Sequence, residues 1–292
     1  MELIANYTAA STDPRDFARM AEDAGFDGVG CSDHLFRTSP YPHLWVTISA
    51  MAQVTRRVIV TSSFANNLLR SPVEFAQASL TMQWLSDGRF EAGLGAGWLR
   101  PEVLAAGLDY PDAPVRARRY LEAMTIVRSL FDHGSCTFQG EHYSVDVPTI
   151  GPRVASPPPL VASVGGPWTI ASVSPLAERV ELKFGRSTRG GELDMAAWST
   201  TTRAELRSMI EQVRAVAPEV PIGVFTTIAV GDRQETAPIR ESLGEGLYGR
   251  LTGEPGEVID GLRSLEDLGL DRVHLTERLP GSIRRLAAAM GR

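Results

Sequence analysis

The chain has 292 residues, 43% of them hydrophobic and 22% charged, and a net charge of −6. That composition excludes a disordered chain, a collagen-like repeat and the basic surface of a dedicated nucleic-acid binder. No apolar run approaches the ~20 residues of a membrane helix, and two cysteines, Cys31 and Cys136, are too few for a cysteine-rich zinc module. Residues 1–6 lack the basic segment and apolar core of a signal peptide, so a cytoplasmic protein with reduced thiols is expected. Lys183 is the single lysine beside 28 arginines, which leaves arginine as almost the sole cation for an anionic ligand.

Along the chain, short apolar runs alternate with capped helices. Residues 3–7 read as a strand. Asp13 is a good N-cap, with Pro14 in the first helical position and Phe17, Met20, Ala21 and Ala24 on one face. Gly25 stops that helix, and a second strand over 28–32 ends at Asp33-His34. The β-branched run 58–64 reads as a buried strand. Ser71-Pro72-Val73-Glu74 is a capping box that opens a helix running to residue 85, and Gly88 ends it. A strand over 90–94 and a helix over 114–131 follow. Residues 134–159 predict a hairpin around Gly140, an insertion within one barrel. Further strands are expected at 160–164, 179–184, 222–230 and 272–275, with helices at 203–217 and 255–268. This alternation implies a mostly parallel sheet, as a barrel or a doubly wound sheet.

Three motifs invite chemistry. Gly93, Gly95 and Gly97 resemble a dinucleotide loop but fail its spacing, because the sixth place is Trp98 or Arg100. They suit the close approach of a ligand or a neighbouring backbone to a strand end. Gly165-Gly166 joins a strand to a helix opening with Pro167-Trp168-Thr169. It is either a tight turn or an anion site, where amide hydrogens and the helix dipole face a phosphate. Asp33-His34 lies just past a strand, where a barrel carries its chemistry, and a histidine exchanges protons near neutral pH. No Gly-x-Ser-x-Gly elbow or Walker loop occurs, and Cys31 with His34 lacks a second pair of metal ligands.

Together these segments resemble the luciferase-like flavin and deazaflavin oxidoreductases. The carrying block runs from Leu69-Arg70-Ser71-Pro72 through Leu85-Ser86-Asp87-Gly88-Arg89 to Gly93-Leu94-Gly95-Ala96-Gly97-Trp98. Ala24-Gly25-Phe26-Asp27, Ser32-Asp33-His34, Gly165-Gly166 and residues 253–257 support it. The resemblance implies a single (β/α)8 TIM barrel over 1–292, often a homodimer, acting on a small molecule with no nucleic-acid or membrane partner. One branch of the family uses reduced FMN and oxygen. The other uses coenzyme F420 for hydride transfer, and Ser-Asp-His is similar to that branch.

In the deazaflavin branch Asp33 and His34 would lie beside the ring, with His34 passing a proton. A non-proline cis peptide in strand three would fall at Ser63-Phe64 and back the ring. Asn66, Gly95 and Gly97 would contact the cofactor, and Gly165, Gly166, Pro167, Trp168 and Thr169 would hold its phosphate. Trp98 and Arg100 are expected in the substrate pocket, with Arg186 and Arg189 as further anion partners. Sugar-phosphate dehydrogenases of this branch carry a glutamate directly after Gly-x-Gly, where this chain has Trp98. The alternatives to an F420-dependent oxidoreductase are an FMN-dependent monooxygenase and a flavin-binding barrel without catalysis.

Overall fold

The computed structural model describes residues 1–8, 12–36, 40–184, 188, 190–244 and 246–291. In chain order the elements begin β1 (Glu2–Tyr7), α1 (Pro14–Asp23), β2 (Gly28–Cys31), α2 (Leu44–Val54), β3 (Ile59–Ser62), β4 (Ala65–Asn66), α3 (Pro72–Leu85) and β5 (Phe90–Gly95). Helices α4 (Arg100–Ala105) and α5 (Ala113–His133) precede the hairpin β6 (Cys136–Gln139) and β7 (Ser144–Val147). Then come β8 (Leu160–Val164), α6 (Pro167–Val173), β9 (Arg179–Leu182), α7 (Met195–Ser199), α8 (Arg203–Val216) and β10 (Ile222–Val230). The chain closes with α9 (Arg233–Leu243), β11 (Thr252–Gly253), α10 (Pro255–Glu266), β12 (Arg272–Glu277) and α11 (Ser282–Ala289).

Strands β1, β2, β3, β5, β8, β9, β10 and β12 pair in parallel, and β12 pairs back onto β1, so the sheet is closed. This is the expected (β/α)8 barrel, with the 134–159 hairpin as an excursion from it. A parallel closed sheet is covered on both faces, which explains strands that are buried at almost every position. None of the described helices is long and apolar enough to cross a membrane.

Two expectations need adjustment. The strand expected over 58–64 stops at Ser62, the Ser63-Phe64 peptide that follows is cis, and pairing resumes at β4. Helix α2 was not anticipated. Its inward face is Leu44, Thr47, Ile48, Met51 and Ala52, but Trp45, Val46 and Val54 on other faces are apolar too and erase the contrast.

The Leu-Ser-x-Gly-Arg block is structural. Asp87 and Gly88 turn the chain with positive φ, and the Arg89 guanidinium then donates to the carbonyls of Ala52 and Thr55 at the end of α2 and of Val58 just before β3. Carbonyls at a helix end lack partners within the helix, and Arg89 supplies them.

Candidate active site

A cavity of about 610 Å³ opens at the C-terminal ends of the barrel strands. Strand β2 delivers Ser32, Asp33 and His34 to its wall, and the break after β3 delivers Ser63, Phe64 and Asn66. Strand β5 ends there at Gly95, followed by Gly97 and Trp98, and β8 leads to Gly165, Gly166 and Thr169. The fold therefore gathers residues from four well-separated stretches of sequence at one place.

Asp33 is buried, and its carboxylate is fully committed. It accepts from the Asn66 amide at 3.0 Å and from the Arg70 guanidinium at 2.8 and 3.0 Å. The pair ties the end of β2 to the segment before α3. Asp33 does not orient His34, since adjacent residues leaving a strand point apart.

The carboxylate that does meet His34 comes from Glu102, on the short helix α4 that lies between the expected strand over 90–94 and the helix over 114–131. Its Oε2 lies 3.0 Å from His34 Nδ1, and its Oε1 accepts from the amides of Leu35 and Phe36. Glu102 is fully buried. The available signal was Arg100-Pro101-Glu102, a helix start with proline in the first turn and an acidic residue behind it. With the carboxylate ionised, hydrogen sits on Nδ1, and Nε2 is the nitrogen that no described residue engages. The imidazole is walled by Tyr41 and Trp98, both edge-on, at 5.3 and 5.9 Å between ring centroids.

The glycines have separate reasons. A Cβ on Gly93 would lie 2.0 Å from the Ser62 carbonyl, so that residue serves strand packing. Gly97 has φ near +82°, and a Cβ there would meet Asn66 Oδ1 at 2.3 Å. At the mouth of β8, the Gly165 and Gly166 amides share one acceptor, Thr169 Oγ1, at 3.5 and 3.2 Å. A Cβ on Gly166 would meet nothing closer than that hydroxyl, at 3.9 Å, so the turn faces open space.

Other expectations are redistributed. Pro167 and Trp168 do not line the cavity; they begin α6, and Trp168 is 46% exposed. Arg100 is exposed at the start of α4 and also lies outside the lining. Arg186 and Arg189 fall outside the described residues. Among the described residues, the cations that reach the cavity are Lys183, Arg116 and Arg278. The Lys183 ammonium sits 4.8 Å from the Phe64 ring centre and 4.6 Å from that of Phe225, within cation–π range. Cys31 is no nucleophile: burial, aided by the Asp33 charge, pushes its thiol up to about 12. Both cysteines are unpaired and buried, and no metal-binding cluster occurs among the described residues.

The fold and this cavity define a (β/α)8 barrel with a histidine–carboxylate dyad at the strand ends, the face where such barrels place their chemistry. The chain belongs to the luciferase-like monooxygenase family, whose model matches residues 5–239. It is 30% identical to an F420-dependent glucose-6-phosphate dehydrogenase of Intrasporangium calvum, over 91% of this chain and 88% of that one. A protein of the same name from Gordonia bronchialis is also 30% identical, with 95% and 91% covered. Among solved structures, an F420-dependent secondary alcohol dehydrogenase superposes with a TM-score of 0.77 at 17% identity, covering 99% and 97% of the two chains. A monooxygenase from Streptomyces bottropensis gives 0.78 at 18%, covering 100% and 97%.

Proposed function

We propose that the chain is a coenzyme F420-dependent oxidoreductase acting on a small organic alcohol or its carbonyl partner, with His34 exchanging the proton at Nε2. The observation that carries this reading is His34 on the cavity wall, backed by the buried carboxylate of Glu102. Bound coenzyme would supply the hydride chemistry at its C5. The residues present fit such a group. Ser63, Phe64, Asn66, Gly95 and Gly97 would face its ring, and the Gly165 and Gly166 amides with Thr169 would meet its phosphate, where a Gly166 side chain would intrude. The names of the relatives and of the alcohol dehydrogenase neighbour support this cofactor.

The dehydrogenase relatives make glucose 6-phosphate the first substrate to test, yet Trp98 stands where sugar-phosphate dehydrogenases carry a glutamate. Its ring gives that side of the pocket an apolar wall, which favours a less polar alcohol. Homodimerisation is proposed on the resemblance, with the exposed Val46 of α2 and Trp84 of α3 as apolar surface for it; analytical ultracentrifugation tests it.

The deciding experiment is calorimetric or fluorescence titration with oxidised coenzyme F420 and with FMN, on the wild type and on Gly166→Trp. Tight F420 binding lost in the variant is expected. Binding of FMN alone would replace the reading with a flavin monooxygenase, and binding of neither would leave a barrel without this chemistry.

A further inference from the structure

Beneath the cavity, the barrel interior holds charged groups that the reaction proposed above does not use. Arg272, fully buried, is engaged by both oxygens of Glu91 and by Glu2 Oε2 at 2.7 Å. Glu181, also fully buried, is placed differently. Its distance to Arg272 is 4.0 Å, and its nearest partner is His274 Nε2 at 3.2 Å. That contact lies within ion-pair reach without the alignment of a hydrogen bond, and no other hydrogen bond reaches either Glu181 oxygen among the described residues. On the opposite edge of the ring, His274 Nδ1 is 3.1 Å from the Ser63 hydroxyl. The imidazole stacks on Phe225 at 6.2 Å and lies against Phe64 at 5.8 Å, and both phenyl rings line the cavity.

Room for this line of polar groups is made by two missing side chains. Gly223 is the cross-strand partner of Glu181, and a Cβ on it would lie 2.1 Å from Glu181 Oε2. A Cβ on Gly30 would lie 2.4 Å from the Ser63 hydroxyl. Apolar residues at 181 and 274 would fill a barrel interior at lower cost than a carboxylate that must stay paired. A polar line kept at that cost, and ending on a cavity-lining segment, has a task there.

We propose that Glu181 and His274 are positioning residues for the cavity floor. A carboxylate beside an imidazole nitrogen favours hydrogen on that nitrogen and leaves the other as acceptor. Glu181 thereby places hydrogen on Nε2, and Nδ1 accepts the Ser63 hydroxyl. The Ser63 carbonyl already accepts from the Ser32 hydroxyl at 2.9 Å. Held at both groups, Ser63 fixes the Phe64 ring as one wall of the ligand site. The consequence for the cofactor rests on the F420 reading; the consequence for His274 does not.

Nitrogen-15 NMR of the cofactor-free protein reads the tautomer directly. The wild type is expected to carry hydrogen on His274 Nε2, Glu181→Gln to retain it through the amide oxygen, and Glu181→Leu to give a mixture. Oxidised coenzyme F420 is expected to bind about tenfold more weakly to Glu181→Leu and to Ser63→Ala, the worth of one lost hydrogen bond to a fixed group, and near normally to Glu181→Gln. Hydrogen on Nδ1 in the wild type overturns the proposal, as does a Glu181→Leu protein with unchanged tautomer and affinity. Should Glu181→Leu not fold, Ser63→Ala decides, because an unmoved Nδ1 resonance refutes the bond to Ser63. A wild type that fails to bind coenzyme F420 refutes the cofactor reading, and the NMR result still stands or falls on its own.

Discussion

Glu102→Gln keeps the shape of a fully buried side chain but exchanges one acceptor oxygen for a donor. In the wild type, one carboxylate oxygen serves the Leu35 and Phe36 amides and the other serves His34 Nδ1. The glutamine can still satisfy the two amides with its carbonyl oxygen, but then its NH2 faces Nδ1. Two donors cannot share that contact, so the imidazole hydrogen moves to Nε2 and the cavity-facing nitrogen changes from acceptor to donor. General base catalysis contributes roughly 10²- to 10⁴-fold, and alcohol oxidation should slow within that range. Stability should fall by only about 1 kcal/mol, one neutral hydrogen bond. Glu102→Ala instead strands three donors. At about 1 kcal/mol each, the low end because Leu35 and Phe36 are partly exposed, that is roughly 3 kcal/mol, or about 5 °C in Tm for a chain of this length. Single-turnover absorbance of the deazaflavin gives the rate, calorimetric titration the affinity, and thermal melts the stability. A Glu102→Gln enzyme that binds coenzyme F420 normally and oxidises substrate at the wild-type rate would refute the tautomer argument.

Arg70→Met leaves the Asp33 carboxylate buried without its guanidinium, a loss of about 3–5 kcal/mol; melts should show it, and an unchanged Tm would contradict the assignment of Asp33 to structure. Cys31 should resist iodoacetamide at pH 8 in the folded protein and react only after unfolding, because burial pushes its thiol up to about 12; peptide mass spectrometry of the native protein reads this. For Glu91, burial raises the carboxyl, but the hydrogen bonds and charge of Arg272 outweigh it and hold it below the ordinary carboxylate value. A carboxyl lowered in the folded state contributes its full stability above the unfolded value of about 4.3 and loses it as pH falls from there through the lower folded value. Denaturant melts between pH 5 and pH 3 should therefore weaken less in Glu91→Gln than in the wild type, and parallel slopes would argue against the pair.

The barrel was legible because its signals are local. Proline and Asx/Ser caps at Asp13-Pro14 and Ser71-Pro72, and apolar runs such as 222–230, declare their elements without reference to the rest of the chain. Helix α2 was not legible, because packing buries one face while Trp45 and Val46 leave its other side apolar. The cis peptide at Ser63-Phe64 was foreseen through resemblance, since nothing in those two residue types specifies it. The partner of His34 was missed for a geometric reason. Asp33 is next to it in sequence but points elsewhere, and Glu102 is 68 residues away and arrives on a six-residue helix. Lys183 and Phe225 were missed likewise: their strands were visible, but which of their residues face the cavity depends on barrel closure.

The inventory of ionisable groups on the cavity wall narrows the chemistry. Asp33 is neutralised by Arg70, and the Glu277 carboxylate accepts the Gly281 and Ile283 amides at the start of α11. Burial pushes the Tyr248 phenol up, which keeps its proton in place. Arg116 and Arg278 are permanent cations, and the Lys183 ammonium sits over the Phe64 and Phe225 rings. That leaves His34, backed by Glu102, and the phenol of Tyr41 packed on its ring, and in the proposed reaction one proton would move at His34 Nε2. A hydride accompanied by a single proton is the balance of an alcohol and its carbonyl, or of a double bond and its saturated product.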